Sequence, residues 1–185
     1  MSALTIYSAD QTQPAVTALD FADIAAQLAP LGVKFERWDA EFQFVADAEP
    51  QTVLDAYRGS IDKLKQQYGF QSVDVISLKA DHPNKDQLRQ KFLSEHTHSD
   101  FEVRFFVEGR GLFYLHVQDK VYAVLCEQGD LISVPADTTH WFDMGEAPDF
   151  KCIRLFTTED GWVAEFTGNP ISERFPTLDQ YLAAL

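Results

Sequence analysis

From Glu102 to Phe166 the chain divides into seven short β-prone runs separated by Gly and Asp: residues 102 to 108, 111 to 117, 120 to 126, 130 to 134, 139 to 144, 150 to 157 and 161 to 166. Runs this short and this closely spaced predict a β-sandwich or barrel and argue against a parallel α/β sheet. The first ninety residues mix helix and strand. Residues 15 to 28 predict a helix closed by Pro30, and residues 33 to 38 a strand. Val53, Leu54, Tyr57, Ile61, Leu64 and Tyr68 recur every three to four residues, which predicts one amphipathic helix from Thr52 that stops before Gly69. Residues 72 to 78 alternate as a strand does, residues 84 to 92 predict a short charged helix, and a last helix is expected over 178 to 185. A chain of 185 residues suits one domain that buries roughly 70% of its unfolded surface. The expected division is a mixed α/β elaboration over 1–92, a barrel core over 93–168 and a tail over 169–185.

The chemistry is concentrated where the helical half meets the β half. Glu95-His96-Thr97-His98 is followed by Glu102-Val103-Arg104, and a further histidine, His140, comes after the stretch Gly129 to Pro135. Neutral imidazole and carboxylate suit Fe, Ni, Mn, Co or Zn and are not themselves oxidised as a thiolate is, so a redox metal fits this set. If residues 96 to 104 are extended, His96, His98, Glu102 and Arg104 share one face, and His140 must arrive from a second strand. Four protein ligands would leave two octahedral positions for a chelating oxygen ligand, or for a substrate and O2. The remaining histidines carry no such pattern: His82 reads as a loop residue and His116 as a strand residue.

Composition excludes several classes. With 29 acidic against 15 basic side chains the formal charge is -14, which repels nucleic-acid phosphates and anionic lipid, so neither is an expected partner. Cys126 and Cys152 lack a Cys-x-x-Cys spacing and read as buried thiols, with a disulfide between them unnecessary. No basic residue precedes Lys34, and Asp10, Asp20 and Asp23 interrupt the early apolar stretches. Neither a signal peptide nor a membrane span is therefore expected, and the location expected is cytoplasmic.

The strings His96-x-His98-x3-Glu102-x6-Gly109 and Gly129-x5-Pro135-x-Asp137-x2-His140 resemble the two motifs of the cupin superfamily. That fold is a double-stranded antiparallel β-helix, a jelly-roll barrel with its metal inside, here with additional α-helices mostly in the N-terminal half. Asp137 stands where many cupins have glycine, a tolerable change in a turn. The longer strings around Glu95, Glu102 to Gly109 and His140 to Gly145 are similar to those of the acireductone dioxygenase family along essentially the whole chain.

That resemblance implies the oxygen-dependent step of methionine salvage. The substrate is the acireductone 1,2-dihydroxy-3-keto-5-methylthiopentene, and one Fe(II) or Ni(II) is bound per chain. Iron gives formate and 4-methylthio-2-oxobutanoate; nickel gives formate, carbon monoxide and 3-methylthiopropanoate. The expected metal ligands are His96, His98, Glu102 and His140. Arg104 would stabilise the substrate dianion, its alternative being an ion pair with Glu102 or Glu108. Glu95 stands where the family has a residue linked to metal incorporation, its alternative being a solvated surface charge. Phe101 stands where an acidic residue that transmits local conformational change is expected, and it faces away from the ligands. Phe92, Phe106, Phe142 and Trp162 are candidates for the apolar wall against the methylthioalkyl tail, and Arg154 for a second cation; core packing is the alternative for each. A monomer is expected from the family. Two other readings are a cupin dioxygenase of the flavonol-cleaving kind, although this chain has a single motif pair, and a non-catalytic metal-binding cupin.

Overall fold

The computed structural model describes residues 1–11, 13–45 and 47–185. In chain order the elements are β1 (Ala3–Ser8), β2 (Pro14–Ala18), α1 (Phe21–Leu28), β3 (Lys34–Arg37), α2 (Pro50–Ala56), α3 (Arg58–Tyr68), β4 (Ser72–Leu78) and α4 (Lys85–Leu93). They continue as β5 (His96–Thr97), β6 (Glu102–Val117), β7 (Lys120–Glu127), β8 (Asp130–Val134), β9 (Thr139–Asp143), β10 (Phe150–Phe156), β11 (Glu165–Phe166) and α5 (Leu178–Ala184). Every strand pair is antiparallel.

The long strand β6 joins the two faces of an open barrel. Its first half, Glu102 to Gly109, lies between β8 and β10, with β3 beyond β8 and β4 beyond β10. Its second half, Arg110 to Val117, lies between β7 and β9. The bend falls at Gly109, whose φ of 70° is a left-handed value and whose missing Cβ would sit 1.8 Å from the Asp149 carbonyl oxygen. The second face ends at β11 on one side and β2 on the other. The hydrogen-bonded ladder is therefore not a closed ring.

Alternation along β6 sorts its side chains between interior and exterior. Val103, Phe105 and Val107 point out into an apolar layer with Val53, Tyr57, Ile61 and Leu64 of α2 and α3. Leu112 and Tyr114 face a second outer layer with Trp141, Phe175, Leu178 and Tyr181. Phe106, Phe113 and Leu115 point into the interior with Val124, Ile132, Phe142 and Phe150. Glu102 and Arg104 have the inward parity of Phe106 and so carry charge into an apolar interior.

Several expectations are corrected. Residues 15 to 28 are not one helix: β2 pairs with β1, and α1 begins only after Asp20, whose carboxylate accepts from the Ala22 and Asp23 amides. This cap fixes the start of the helix. The helix expected from Thr52 to Tyr68 is two, broken at Tyr57 with φ −103°. The ring of Tyr57 packs on Phe42, Phe44 and Phe105, while Val53, Ile61 and Leu64 keep a common buried face. Residues 102 to 108 and 111 to 117 are one bent strand, and of 161 to 166 only β11 is strand. Both cysteines are buried free thiols, His82 lies in a loop, and α5 covers the second outer layer. Among the described residues no helix is long and apolar enough to cross a membrane.

Candidate metal centre

The segment that carries the motif is not one extended strand. His96 lies in β5, opposite His140 in β9. The chain then leaves the sheet through a turn at 98–101, where the His98 carbonyl accepts from the Asp137 amide, and re-enters as β6 at Glu102. The common face of the first two histidines with Glu102 therefore arises from register and a turn, not from uninterrupted alternation. The structure nonetheless brings together His96, His98 and His140, each with a ligand-capable nitrogen within 4.8 Å of the others. Glu102 Oε2 is 3.3 Å from His140 Nε2 and 3.7 Å from His98 Nε2.

The same device orients each ring. The Nδ1 atoms of His96, His98 and His140 lie 2.7, 2.9 and 2.7 Å from the carbonyl oxygens of Ser94, Val163 and Thr138. A carbonyl only accepts, so each Nδ1 carries the proton and each Nε2 presents its lone pair. Glu102 Oε2 and His140 Nε2 are fully buried without a hydrogen-bond partner among the described residues. Orphaned acceptors of this kind are costly in a protein interior. A divalent cation of imidazole and carboxylate preference satisfies them together, so the residues present fit a metal of the Fe or Ni type.

The electrostatics suit neutral imidazoles beside one carboxylate. Burial, helped by the neighbouring His140, pushes His96 down from 6.5 to about 4, and burial also lowers His98. Burial alone would raise Glu102, but the Arg104 guanidinium and the surrounding rings hold its carboxyl well below the usual range. In the metal-free protein the unfolded chain takes up protons at these histidines before the folded chain does, so stability present above pH 6.5 is lost as pH falls towards about 4. A urea-unfolding series of metal-free protein across that window is expected to show a falling midpoint, and an unchanged one would contradict it.

Arg104 lies fully inside. Its Nη2 donates to Glu102 Oε1 at 2.6 Å, while Nε and Nη1 are buried without partners among the described residues. The guanidinium carbon lies 4.8 and 4.6 Å from the ring centroids of Phe113 and Phe142. Arg104 thus shows the ion pair with Glu102, and the residue also lines a cavity beside the ligands. That cavity, of about 230 Å³, is lined by His96, His98, His140, Arg104, Phe92, Phe142, Arg154 and Trp162. Arg154 is held by a bidentate pair with Asp74, at 2.9 and 2.6 Å.

Phe106 is not part of the wall. It is wholly buried beneath it, its ring 6.3 Å from that of Phe142 and 6.5 Å from that of Phe150. Sequence reasoning missed Ile76, Leu88, Lys91, Ala164 and Phe166, which also line the cavity. Glu95 is no solvated charge: it is 3% exposed, 2.7 Å from His116 Nδ1, and accepts from Thr167 Oγ1 at 2.8 Å. Phe101 is 44% exposed and stays outside the cavity.

The buried carboxylate in this turn is the adjacent Asp100. It accepts from the Thr157 and Thr158 amides at 2.6 and 2.9 Å, tying the turn after His98 to the segment that carries Trp162. Gly161 is required for this contact, since a Cβ there would lie 2.5 Å from Asp100 Oδ2. No spacing rule connects Asp100 with Thr157.

Comparison with known proteins agrees with this geometry. A sequence model described as the ARD/ARD' family matches residues 4–164. The acireductone dioxygenase of Methylococcus capsulatus is 62% identical over 182 residues, 98% of each chain. That of Aquifex aeolicus is 54% identical over 180 residues, 97% of this chain and 98% of the other. The solved acireductone dioxygenase from Bacillus anthracis, which holds a cadmium ion in its active centre, superposes with a TM-score of 0.78 at 30% identity. It covers 90% of this chain and 98% of its own.

Proposed function

The chain belongs to the ARD/ARD' family of acireductone dioxygenases, and on that premise we propose that His96, His98, Glu102 and His140 hold one Fe(II) or Ni(II) per chain. The protein catalyses the O2-dependent cleavage of an acireductone in methionine salvage, the reaction of 1,2-dihydroxy-3-keto-5-methylthiopentene. The observation that carries the ligand assignment is the set of three imidazoles with Nδ1 tied to backbone carbonyls, facing a buried carboxylate oxygen and a buried Nε2 that lack partners.

Held by these four side chains, the metal would supply Lewis-acid polarisation of the substrate oxygens and a template that orients them. The rest is done by this chain's side chains. Arg104 cannot serve as a base, because the Glu102 charge overrides its burial and keeps it protonated. Its free Nε and Nη1 instead offer a fixed positive charge to the substrate oxygens, which lowers the cost of removing the second enediol proton. Phe92, Phe142 and Trp162, with Ile76 and Leu88, give the methylthioalkyl tail an apolar wall that excludes water. Glu95 braces the β5 end of the site through His116 and Thr167, which supports a role in shaping the metal site before the metal arrives. At Phe101 the transmitting carboxylate is missing, and Asp100 supplies the link from the ligand turn to the cavity segment.

A monomer is part of the same proposal, and so is a cytoplasmic location, which is supported by two free buried thiols that suit a reducing compartment. So is a single cupin domain over 1–185 with the metal inside the 93–168 core.

The test is to strip the protein, reload it separately with Fe(II) and Ni(II), and supply the desthio acireductone analogue with O2. Keto acid and formate with iron, and carbon monoxide with nickel, are the expected products. Absence of O2 consumption with both metals would overturn the reading.

A further inference from the structure

The chain is strongly acidic, yet the cavity beside the three histidines is not. Among its lining residues are three cations, Lys91, Arg104 and Arg154, from three different elements, and no acidic side chain. In a protein with 29 acidic and 15 basic residues this is a local reversal of sign. Two of the three charges are already engaged, Arg104 with Glu102 and Arg154 with Asp74. Lys91 is solvent-exposed, and among the described residues it has no carboxylate within ion-pair distance. Its helix is fixed in place: Arg89 forms a bidentate pair with Asp143 at 2.8 and 3.0 Å, and Lys85 donates to the Glu146 carbonyl at 2.6 Å.

We propose that Lys91 is the substrate-steering cation of this enzyme, an unpaired charge on the cavity rim that draws the acireductone anion towards the site. This inference rests on the functional reading above. An enediol conjugated to a ketone is a vinylogous acid, so the substrate arrives as an anion and meets a molecule whose net charge repels it. A cleft lined by one sign of charge between low-dielectric walls focuses the local field and counters the distant repulsion. Lys91 sits at the solvent side, where an approaching anion is met first, while Arg104 lies buried beside the ligands. It is a binding residue for the approach and takes no part in bond cleavage. Lys91 also lies in the last turn of α4, where a cation gains from the helix dipole. That contribution belongs to stability and gives no reason for kcat/KM to depend on salt.

The experiment compares wild type with K91Q, K91E and K91R, each loaded with metal and checked for metal content, between about 10 mM and about 500 mM ionic strength. K120E, the same charge change at an exposed lysine that does not line the cavity, controls for net charge. At low salt kcat/KM is expected to fall about threefold in K91Q and about tenfold in K91E, through KM, and the gap to close at high salt. K91R and K120E should stay near wild type. A K91E enzyme equal to wild type at low salt, a deficit that persists at high salt, or an equal deficit in K120E would overturn the proposal alone. Wild-type protein inactive with both metals would overturn the functional reading and this inference with it.

Discussion

His140→Ala is expected to lose metal and turnover together while the protein stays folded. His140 is the member of the set that arrives from β9, opposite His96, and its Nε2 is buried without a hydrogen-bond partner among the described residues. Removing an outer partner of a metal ligand already costs about 10- to 100-fold in affinity, so loss of the ligand itself should cost more than about 100-fold. The fold should be spared. In the metal-free chain the substitution deletes an unsatisfied polar atom, worth about 1–3 kcal/mol when buried, and leaves a small cavity of opposing cost.

Glu102→Ala is the instructive contrast. It removes the same metal but strands Arg104, which is 4% exposed and, among the described residues, paired with Glu102 alone. Breaking a buried pair in this way costs about 3–5 kcal/mol. Metal analysis and urea unfolding of both variants should therefore separate two effects: metal loss in both, a large fall in stability only in Glu102→Ala. An active His140→Ala enzyme that still bound metal would sink the ligand assignment.

What the sequence made legible was the chemistry more than its geometry. The two histidines, the carboxylate and the later histidine were readable because so few residue types serve a redox metal of this class, and β-alternation placed Glu102 and Arg104 on one side. The route by which His98 joins them was not readable, since it depends on a turn pinned by Asp137 and Asp100 across the structure. Phe106 shows the limit of parity: it has the inward face of Arg104 but sits under Phe142 rather than in the cavity. Gly111 shows why Phe142 can come so close, because a Cβ there would lie 2.2 Å from that ring. Glu95 was open between two readings because its partners, His116 and Thr167, lie 21 and 72 residues away. The same holds for α4, readable as a charged helix, whereas its placement on β9, which brings Leu88 and Lys91 to the cavity, is tertiary.

Arg104→Ala is expected to lower kcat by about 100- to 1000-fold per bound metal, roughly 3–4 kcal/mol of barrier, as loss of a preorganised charge donor does elsewhere. The normalisation matters because Arg104 has one observed partner, Glu102, and one proposed role, towards the substrate. One Nη2 hydrogen bond holds Glu102, while Nε and Nη1 are buried without partners among the described residues. If the ion pair with Glu102 were the whole of its role, the variant would lose metal or stability and each remaining holoenzyme molecule would turn over normally. If the free nitrogens stabilise the dianion, metal content stays near wild type once the metal itself balances the Glu102 charge. Turnover then falls, and the dianion's absorption fails to develop when substrate is added under nitrogen. Arg104→Lys separates the tasks further, since a single ammonium keeps the charge but lacks the planar fork that reaches Glu102 and the substrate at once. It should recover part of the rate without restoring it. Wild-type kcat and a normal dianion spectrum in Arg104→Ala would reduce Arg104 to a structural partner of Glu102.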